Sequence, residues 1–195
     1  MYLLSKIEIP PRISPYPMQV VLVGATVNDK PNFLTAAWMN RLNGSPPLWG
    51  VAIGKKQYTL EGIKEHQVFS INIPSADLVE KVDYCGIVSG RNADKSKLFN
   101  IFYGKLTNAP MIGECPLAVE CKVFDIVDLP STALVLGEIV AAHTEERFLT
   151  DGKIDPLKAN PFVLTMPDNS YWTLGDRLAD AFQVGKRLKH DSMSD

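Results

Sequence analysis

The sequence is short of the residues from which most recognisable catalytic centres are built. Only three histidines, His66, His143 and His190, occur among 195 residues. They are scattered, none lies beside a cysteine and no HExxH pattern is present, so no metal centre is expected. Cys85, Cys115 and Cys121 are an odd number without zinc-type spacing, in a chain long enough to fold without staples. Reduced thiols and a cytoplasmic location are the expectation. Positive charge is not in excess, since 20 Lys and Arg against 22 Asp and Glu leave a formal net charge of −2. No overall basic field exists to recruit nucleic acid or anionic lipid. The opening MYLLSKIEIPPR is broken by Glu8 and Pro10-Pro11 and lacks the apolar core of an export signal, so neither export nor a membrane span is expected. No G-x-G-x-x-G follows a strand-like run and no Walker A sequence occurs; any nucleotide must be held by other means.

What is present is a core. Apolar residues make up 46% and charged residues 22%, at a mean hydropathy of −0.01, which suits one soluble globular domain. That domain is assigned to residues 1–188, with the polar end 189–195 as a frayed tail. β-branched, apolar runs fenced by Gly, Pro, Asn or Asp predict strands at Met18 to Val27, Phe33 to Met39, Leu48 to Ile53, Val68 to Ile73, Ala118 to Val127 and Ala133 to Ala142. Helical patterns fall at Leu60 to His66, Asp77 to Tyr84, Asp94 to Phe102 and Asp176 to Phe182. Few and irregularly placed helices disfavour a doubly wound sheet. The class is therefore mainly β with some α, best accommodated by a closed or split barrel that removes exposed strand edges. Glu145 to Pro167, with Pro156, Pro161 and Pro167, reads as an excursion over the surface or onto a partner subunit.

Three segments carry chemistry. Gly54-Lys55-Lys56-Gln57-Tyr58-Thr59 follows a strand and precedes a helix that Thr59 can cap. Free N–H groups, the positive end of the helix dipole and two ammonium groups there suit a phosphomonoester. Ser89-Gly90-Arg91-Asn92-Ala93-Asp94-Lys95 offers close backbone approach at Gly90 and donors at Ser89, Arg91 and Lys95. Thr35-Ala36-Ala37-Trp38-Met39 places two small residues where a flat ring could approach the backbone. Each also has an ordinary reading: a solvated lysine turn, a polar loop with Asp94 capping the next helix, and a tight barrel crossing with Trp38 in the core.

The series Pro31-Asn32, Thr35 to Trp38, Lys56 to Thr59, Phe69 to Ser75, Lys81 to Gly86, Ser89-Gly90, Asp94-Lys95, Glu114-Cys115-Pro116, Glu120-Cys121 and Gly137 to Val140 resembles the flavin reductase-like, FMN-binding split-barrel family, in its flavoredoxin-like branch. The resemblance runs in order from about Pro15 to about Val140, and Leu174-Gly175 and Ala181-Phe182 resemble that branch's C-terminal end. It implies a Greek-key split β-barrel with short helices, assembled as a homodimer with one FMN per subunit near the interface. Thr35, Ala36, Ala37, Trp38 and Met39 then resemble the backbone-rich stretch along the isoalloxazine. Lys55, Lys56, Tyr58 and Thr59 resemble the phosphate ligands, Asn72 the asparagine ending a neighbouring strand, and Ser89, Gly90 and Lys95 the loop over ribityl and phosphate.

The function so implied is an FMN-binding oxidoreductase, a flavin reductase that takes hydride from NADH or NADPH as a transient donor or a protein that passes electrons to a redox protein. The alternative is a flavoredoxin-type electron carrier or flavin sensor without a nicotinamide site. No catalytic side chain is assigned, because the ring carries the chemistry. Many relatives carry a histidine five residues before the Gly-Glu-Val-type strand, where this chain has Thr132, which donates a hydrogen bond but does not titrate near neutrality. Cys85 lies beside the second loop, but its ordinary reading is a packed thiol, as for Cys115 and Cys121; Glu114, Glu120 and Glu138 read as structural and His143 as a surface residue.

Overall fold

The computed structural model describes residues 6–11, 13–14, 16–186 and 188. The expected tail, 189–195, lies outside the described residues. In chain order the strands begin with β1 (Met18–Gln19), β2 (Val21–Val27), β3 (Lys30–Ala36), β4 (Met39–Asn43) and β5 (Leu48–Gly54). Helix α1 (Tyr58–His66), β6 (Val68–Ile73), α2 (Val79–Ile87), β7 (Ile101–Phe102) and β8 (Met111–Ile112) follow. The long β9 (Leu117–Asp128) and β10 (Thr132–His143) precede β11 (Leu149–Thr150), β12 (Lys153–Ile154), α3 (Pro156–Ala159), β13 (Phe162–Thr165) and β14 (Ser170–Thr173).

Seven strands form the main sheet in the order β3-β2-β6-β9-β10-β5-β4, antiparallel throughout. Its two edge strands, β3 and β4, are consecutive in the chain and separated only by Ala37-Trp38. Two residues span less than about 11 Å of extended chain, so the edges must meet and the sheet must curl into a barrel. The amide of Ala52 in β5 donates to the Trp38 carbonyl at 2.9 Å, which pins this crossing.

Hairpin β2–β3 turns through Asn28 and Asp29, both at positive φ (48° and 59°), the geometry that a two-residue turn between twisted strands demands. Every residue of β2 is buried. Val21, Val23 and Ala25 face the barrel interior with Leu34, Val51, Ile53, Phe69, Ile71, Val119 and Val135. Leu22 faces a second core, in which Phe33, Val82, Cys85, Phe99, Ile112 and Phe162 pack α2 and the later segments onto the outside of the sheet. Helix α1 plugs the barrel with Leu60 and Ile63. It sits close because Gly62 lies on the Thr26 carbonyl, where a Cβ would collide.

The six expected strand runs all form, with shifted ends and with the first split at Val20. Two expected helices do not. Asp94 to Phe102 forms only a short 3-10 turn, Lys95–Leu98, before β7, and Asp176 to Phe182 is irregular chain. The segment Glu145 to Pro167 is no free excursion. Ala76 N–H donates to the Asn160 carbonyl at 2.9 Å, β13 pairs with β1, and Phe162 is buried against Tyr171 with ring centroids 5.4 Å apart.

Candidate functional site

The crossing that closes the barrel is also a groove. A cavity of about 180 Å³ is walled by Thr35, Ala36, Ala37 and Trp38 on one side and by Gly54 and Gln57 on the other. The hydroxyl of Thr35 donates to the Val82 carbonyl and ties the end of β3 to α2. Leu164 and Met166 of the same chain complete the wall, so the 145–167 segment contributes to its own subunit's groove. A larger cleft of about 430 Å³ shares Ala37 and Trp38 and adds Met39, Leu42 and Leu134. Trp38 stands between them, 52% exposed, rather than in the core.

Gln57, the residue before α1, has extended backbone (φ −71°, ψ 131°) and makes no side-chain capping bond. The first N–H groups of a helix have no partner within it, so this N-terminus presents uncapped donors beside the groove. Thr59, expected to cap the helix, lies inside its first turn instead. It is 1% exposed, and its hydroxyl accepts from Asn32 Nδ2 at 2.7 Å, a bond that joins β3 to α1. Lys55 and Lys56 lie on the exposed turn before the helix, and Lys55 Nζ is 2.8 Å from a carboxylate oxygen of Asp128 at the end of β9.

Tyr58 faces a third cleft, of about 390 Å³, lined by Asn28, Lys30, Asn32, Gly90 and Arg91 among others. Gly90 lies so near Asn32 and Tyr58 that a Cβ would collide with the Asn32 amide oxygen. Arg91 covers the Tyr58 ring at 4.8 Å, donates to the Lys56 carbonyl at 3.2 Å and pairs with Glu61. Ser89 Oγ accepts from Arg91 N–H at 3.3 Å, and Asp94 accepts from Ser96 N–H at 3.1 Å, capping the short turn as its ordinary reading has it. The loop 89–92 is thereby clamped onto the first turn of α1, with Gln57 in one cleft and Tyr58 in the next.

Two candidate ligands have other work. Asn72 is wholly buried: its amide nitrogen donates to the Leu22 carbonyl (3.1 Å) and Ser70 Oγ (2.9 Å), and its oxygen accepts from Ile112 N–H (2.9 Å). It bonds the sheet to β8. Lys95 is 3% exposed at the base of the third cleft, and its ammonium donates to the carbonyls of Phe33 (2.9 Å) and Cys85 (2.8 Å), satisfying orphan acceptors of β3 and α2. Burial pushes the Cys85 thiol up to about 11 despite the nearby Lys95 charge, which makes it a poor nucleophile at neutral pH.

Sequence reasoning placed Gln57 in the anion-binding segment without assigning it a contact, and did not single out Leu164 or Met166 as groove residues. Gln57 is detectable as the residue before the helix; Leu164 and Met166 are placed by tertiary pairing alone. His143, read as a surface residue, bonds the fully buried Glu120 at 2.7 Å at the opposite end of β10 from Thr132. Among the described residues no group of His, Cys, Asp and Glu is placed to hold a metal ion, and no helix is long and apolar enough to cross a membrane.

The fold has counterparts. The chain is similar to flavoredoxin from Methanosarcina acetivorans, with 48% identity, a TM-score of 0.92 and coverage of 94% of this chain and 99% of that one. Flavoredoxin of Desulfovibrio vulgaris (Miyazaki F) matches at 34% identity with a TM-score of 0.87, covering 92% and 99%. An uncharacterised protein of Archaeoglobus fulgidus is 35% identical over 142 residues, 72% of this chain and 79% of that protein. The mainly β split barrel expected from the sequence is thus the fold. Residues 13–168 match the model of the flavin reductase like domain, and the chain belongs to that family.

Proposed function

We propose that this chain binds FMN with its isoalloxazine along the Thr35 to Trp38 ledge and its phosphate at the first turn of α1, and works as an FMN-dependent oxidoreductase. One observation carries the reading: an uncapped helix N-terminus and a ledge of small residues open into the same groove. A phosphomonoester needs N–H donors and positive charge, which the α1 turn has together with Lys55 and Lys56. A flat ring needs a wall without bulky side chains, which Ala36 and Ala37 provide next to the Trp38 indole.

When bound, FMN supplies hydride and single-electron transfer. The chain's part is to bind and orient. Among the described residues the groove wall contains no titratable side chain, so none of them is set up there as an acid or base. Thr132, directly opposite Gly54 in the β10–β5 register, stands near this wall with a hydroxyl that does not ionise near neutrality. The donor in this reading is NADH or NADPH, held only transiently, and the electrons leave to free flavin or to a redox protein. A second reading is favoured by the similarity to the two flavoredoxins: an electron carrier that exchanges electrons with protein partners and ignores nicotinamides.

The test is spectroscopic. Protein equilibrated with FMN and freed of excess should retain oxidised-flavin absorbance, and Ala37→Phe, which fills the ledge, should abolish retention while the circular dichroism is unchanged. A colourless wild-type protein that cannot be reconstituted would sink the proposal. Bleaching of the flavin bands on adding NADH or NADPH supports the reductase; photoreducible but nicotinamide-inert protein supports the carrier.

A further inference from the structure

The larger cleft beside the ledge differs in character from the surroundings of the phosphate turn. Among the described residues no charged side chain lines it: Met18, Leu42 and Leu134 are apolar, Trp38 is half exposed, and the polar side chains are the carboxamides of Gln19 and Asn40. The cations lie elsewhere. Lys55 and Lys56 stand on the turn before α1, and Lys30, Arg91 and Lys95 line the third cleft. A ligand carrying a diphosphate needs such charges in exchange for its water, and in the larger cleft it would lose hydration without gaining a counter-charge. The occupant that suits these walls is neutral. At about 430 Å³ the cleft falls in the range of roughly 300–1,000 Å³ typical of small organic ligands. Its floor is close-packed, because Gly50 lets Leu42 lie on β5 where a Cβ would overlap it.

The two carboxamides narrow the chemistry further. Gln19 and Asn40 come from different strands, β1 and β4. The side-chain oxygen of Asn40 accepts from Arg41 N–H at 2.9 Å, so its NH2 group is the end left to donate. The carboxamide of the exposed Gln19 supplies a second donor. Two separate donors on an apolar surface, next to an indole against which a flat ring can stack, match a neutral ring with two carbonyl oxygens. A ring of that description that also accepts electrons is a quinone. The cleft shares Ala37 and Trp38 with the ledge, so its occupant lies beside the place assigned to the isoalloxazine.

We propose that the larger cleft is the site of a quinone acceptor, with Gln19 and Asn40 donating to its carbonyl oxygens and Trp38 stacking on its ring. The quinone gains a hydride, two electrons and one proton, from the reduced flavin, which is thereby oxidised, and a second proton from water, since no titratable side chain lines the cleft; it leaves as the hydroquinone. That redox step rests on the FMN reading; the binding does not. Equilibrium dialysis of the full chain against duroquinone, whose fully substituted ring does not add thiols, should show one quinone per chain, at the same affinity with and without saturating FMN. Gln19→Leu should raise its Kd about 2–10-fold. Asn40→Asp keeps the acceptor for Arg41 N–H but replaces the donor by a charge, and should raise Kd about tenfold or more. FMN retention should be unchanged in both variants. With FMN bound and photoreduced without oxygen, duroquinone at subsaturating concentration should restore the oxidised-flavin bands, with one hydroquinone formed per flavin, and more slowly in Asn40→Asp. No binding by the wild type, binding unaltered by Asn40→Asp, or displacement of duroquinone by FMN would overturn the site, and equally fast reoxidation in both proteins would overturn its role as acceptor site. Failure of the wild type to retain FMN counts against the earlier reading instead, and the dialysis then decides the binding site alone.

Discussion

Lys55 and Lys56 allow the proposed phosphate site to be tested in sign as well as in size. At 4 Å a unit charge pair is worth about 1 kcal/mol in bulk water and about 4 kcal/mol at the effective dielectric of a protein surface. Exposed pairs measure far less, about 0.2–1 kcal/mol, because solvent screens them and long side chains lose freedom. Lys55 is exposed, and its ammonium already meets Asp128 at 2.8 Å; Lys56 is exposed too. Replacing both by Ala should therefore weaken FMN by about 0.4–2 kcal/mol together, roughly 2–30-fold in Kd. The helix N–H donors remain, so binding is reduced rather than lost. Riboflavin lacks the phosphate and should bind the variant as it binds the wild type. Asp128→Asn should act in the opposite direction, releasing Lys55 and tightening FMN about 2–5-fold, a gain that shrinks in high salt. Flavin fluorescence titrations at two ionic strengths read all of this. Equal losses for FMN and riboflavin, or weaker FMN binding by Asp128→Asn, would refute the assignment.

Other consequences are independent of flavin. Glu120→Ala leaves Leu106 N–H and His143 without their buried acceptor, and should cost about 3 kcal/mol or more in a urea melt. Burial raises the Glu120 pKa, but bonds from His143 and from the Leu106 and Lys105 N–H groups outweigh it and hold the carboxyl below the usual range. Its stabilisation is thus complete above the unfolded value near 4.3 and lost as pH falls through the lower folded value. Glu120→Gln should flatten that acid limb. Native protein at pH 8 should leave a thiol reagent almost unreacted, since burial holds Cys85 at about 11 and Cys121 at about 12; urea should expose all three thiols. Gly62→Ala drives a methyl group into the Thr26 carbonyl and should lower stability by about 1–3 kcal/mol, read as a fall in the urea midpoint.

Where the sequence was legible, local chemistry and tertiary demand agree. Met18 to Val27 reads as a buried strand from its β-branched, apolar run, and every residue of Val21–Val27 is buried; Asn28-Asp29 reads as a turn, and both residues sit at positive φ. Gly54 to Thr59 reads as strand, turn and helix start for similarly local reasons. The errors lie where a distant residue decides. Thr59 looks like a cap, but Asn32, 27 positions earlier, takes its hydroxyl into the interior. Asn72 looks like a ligand until Leu22 and Ile112 claim both ends of its amide. Asp94 to Phe102 has helical composition, yet Phe99 is drawn into the outer core and Ile101–Phe102 into pairing with Met111–Ile112. Leu164 and Met166 reach the groove through the pairing of β13 with β1, which no local pattern announces.

Strand β2 serves two interiors at once, with Val23 toward the barrel and Leu22 toward the layer outside it. A change of volume there disturbs both, so evolutionary drift along this strand is confined to near-isosteric swaps. Divergence in chemistry between descendants of such a barrel has to be written in its margins, at the seam between first and last staves and in the loops that border it.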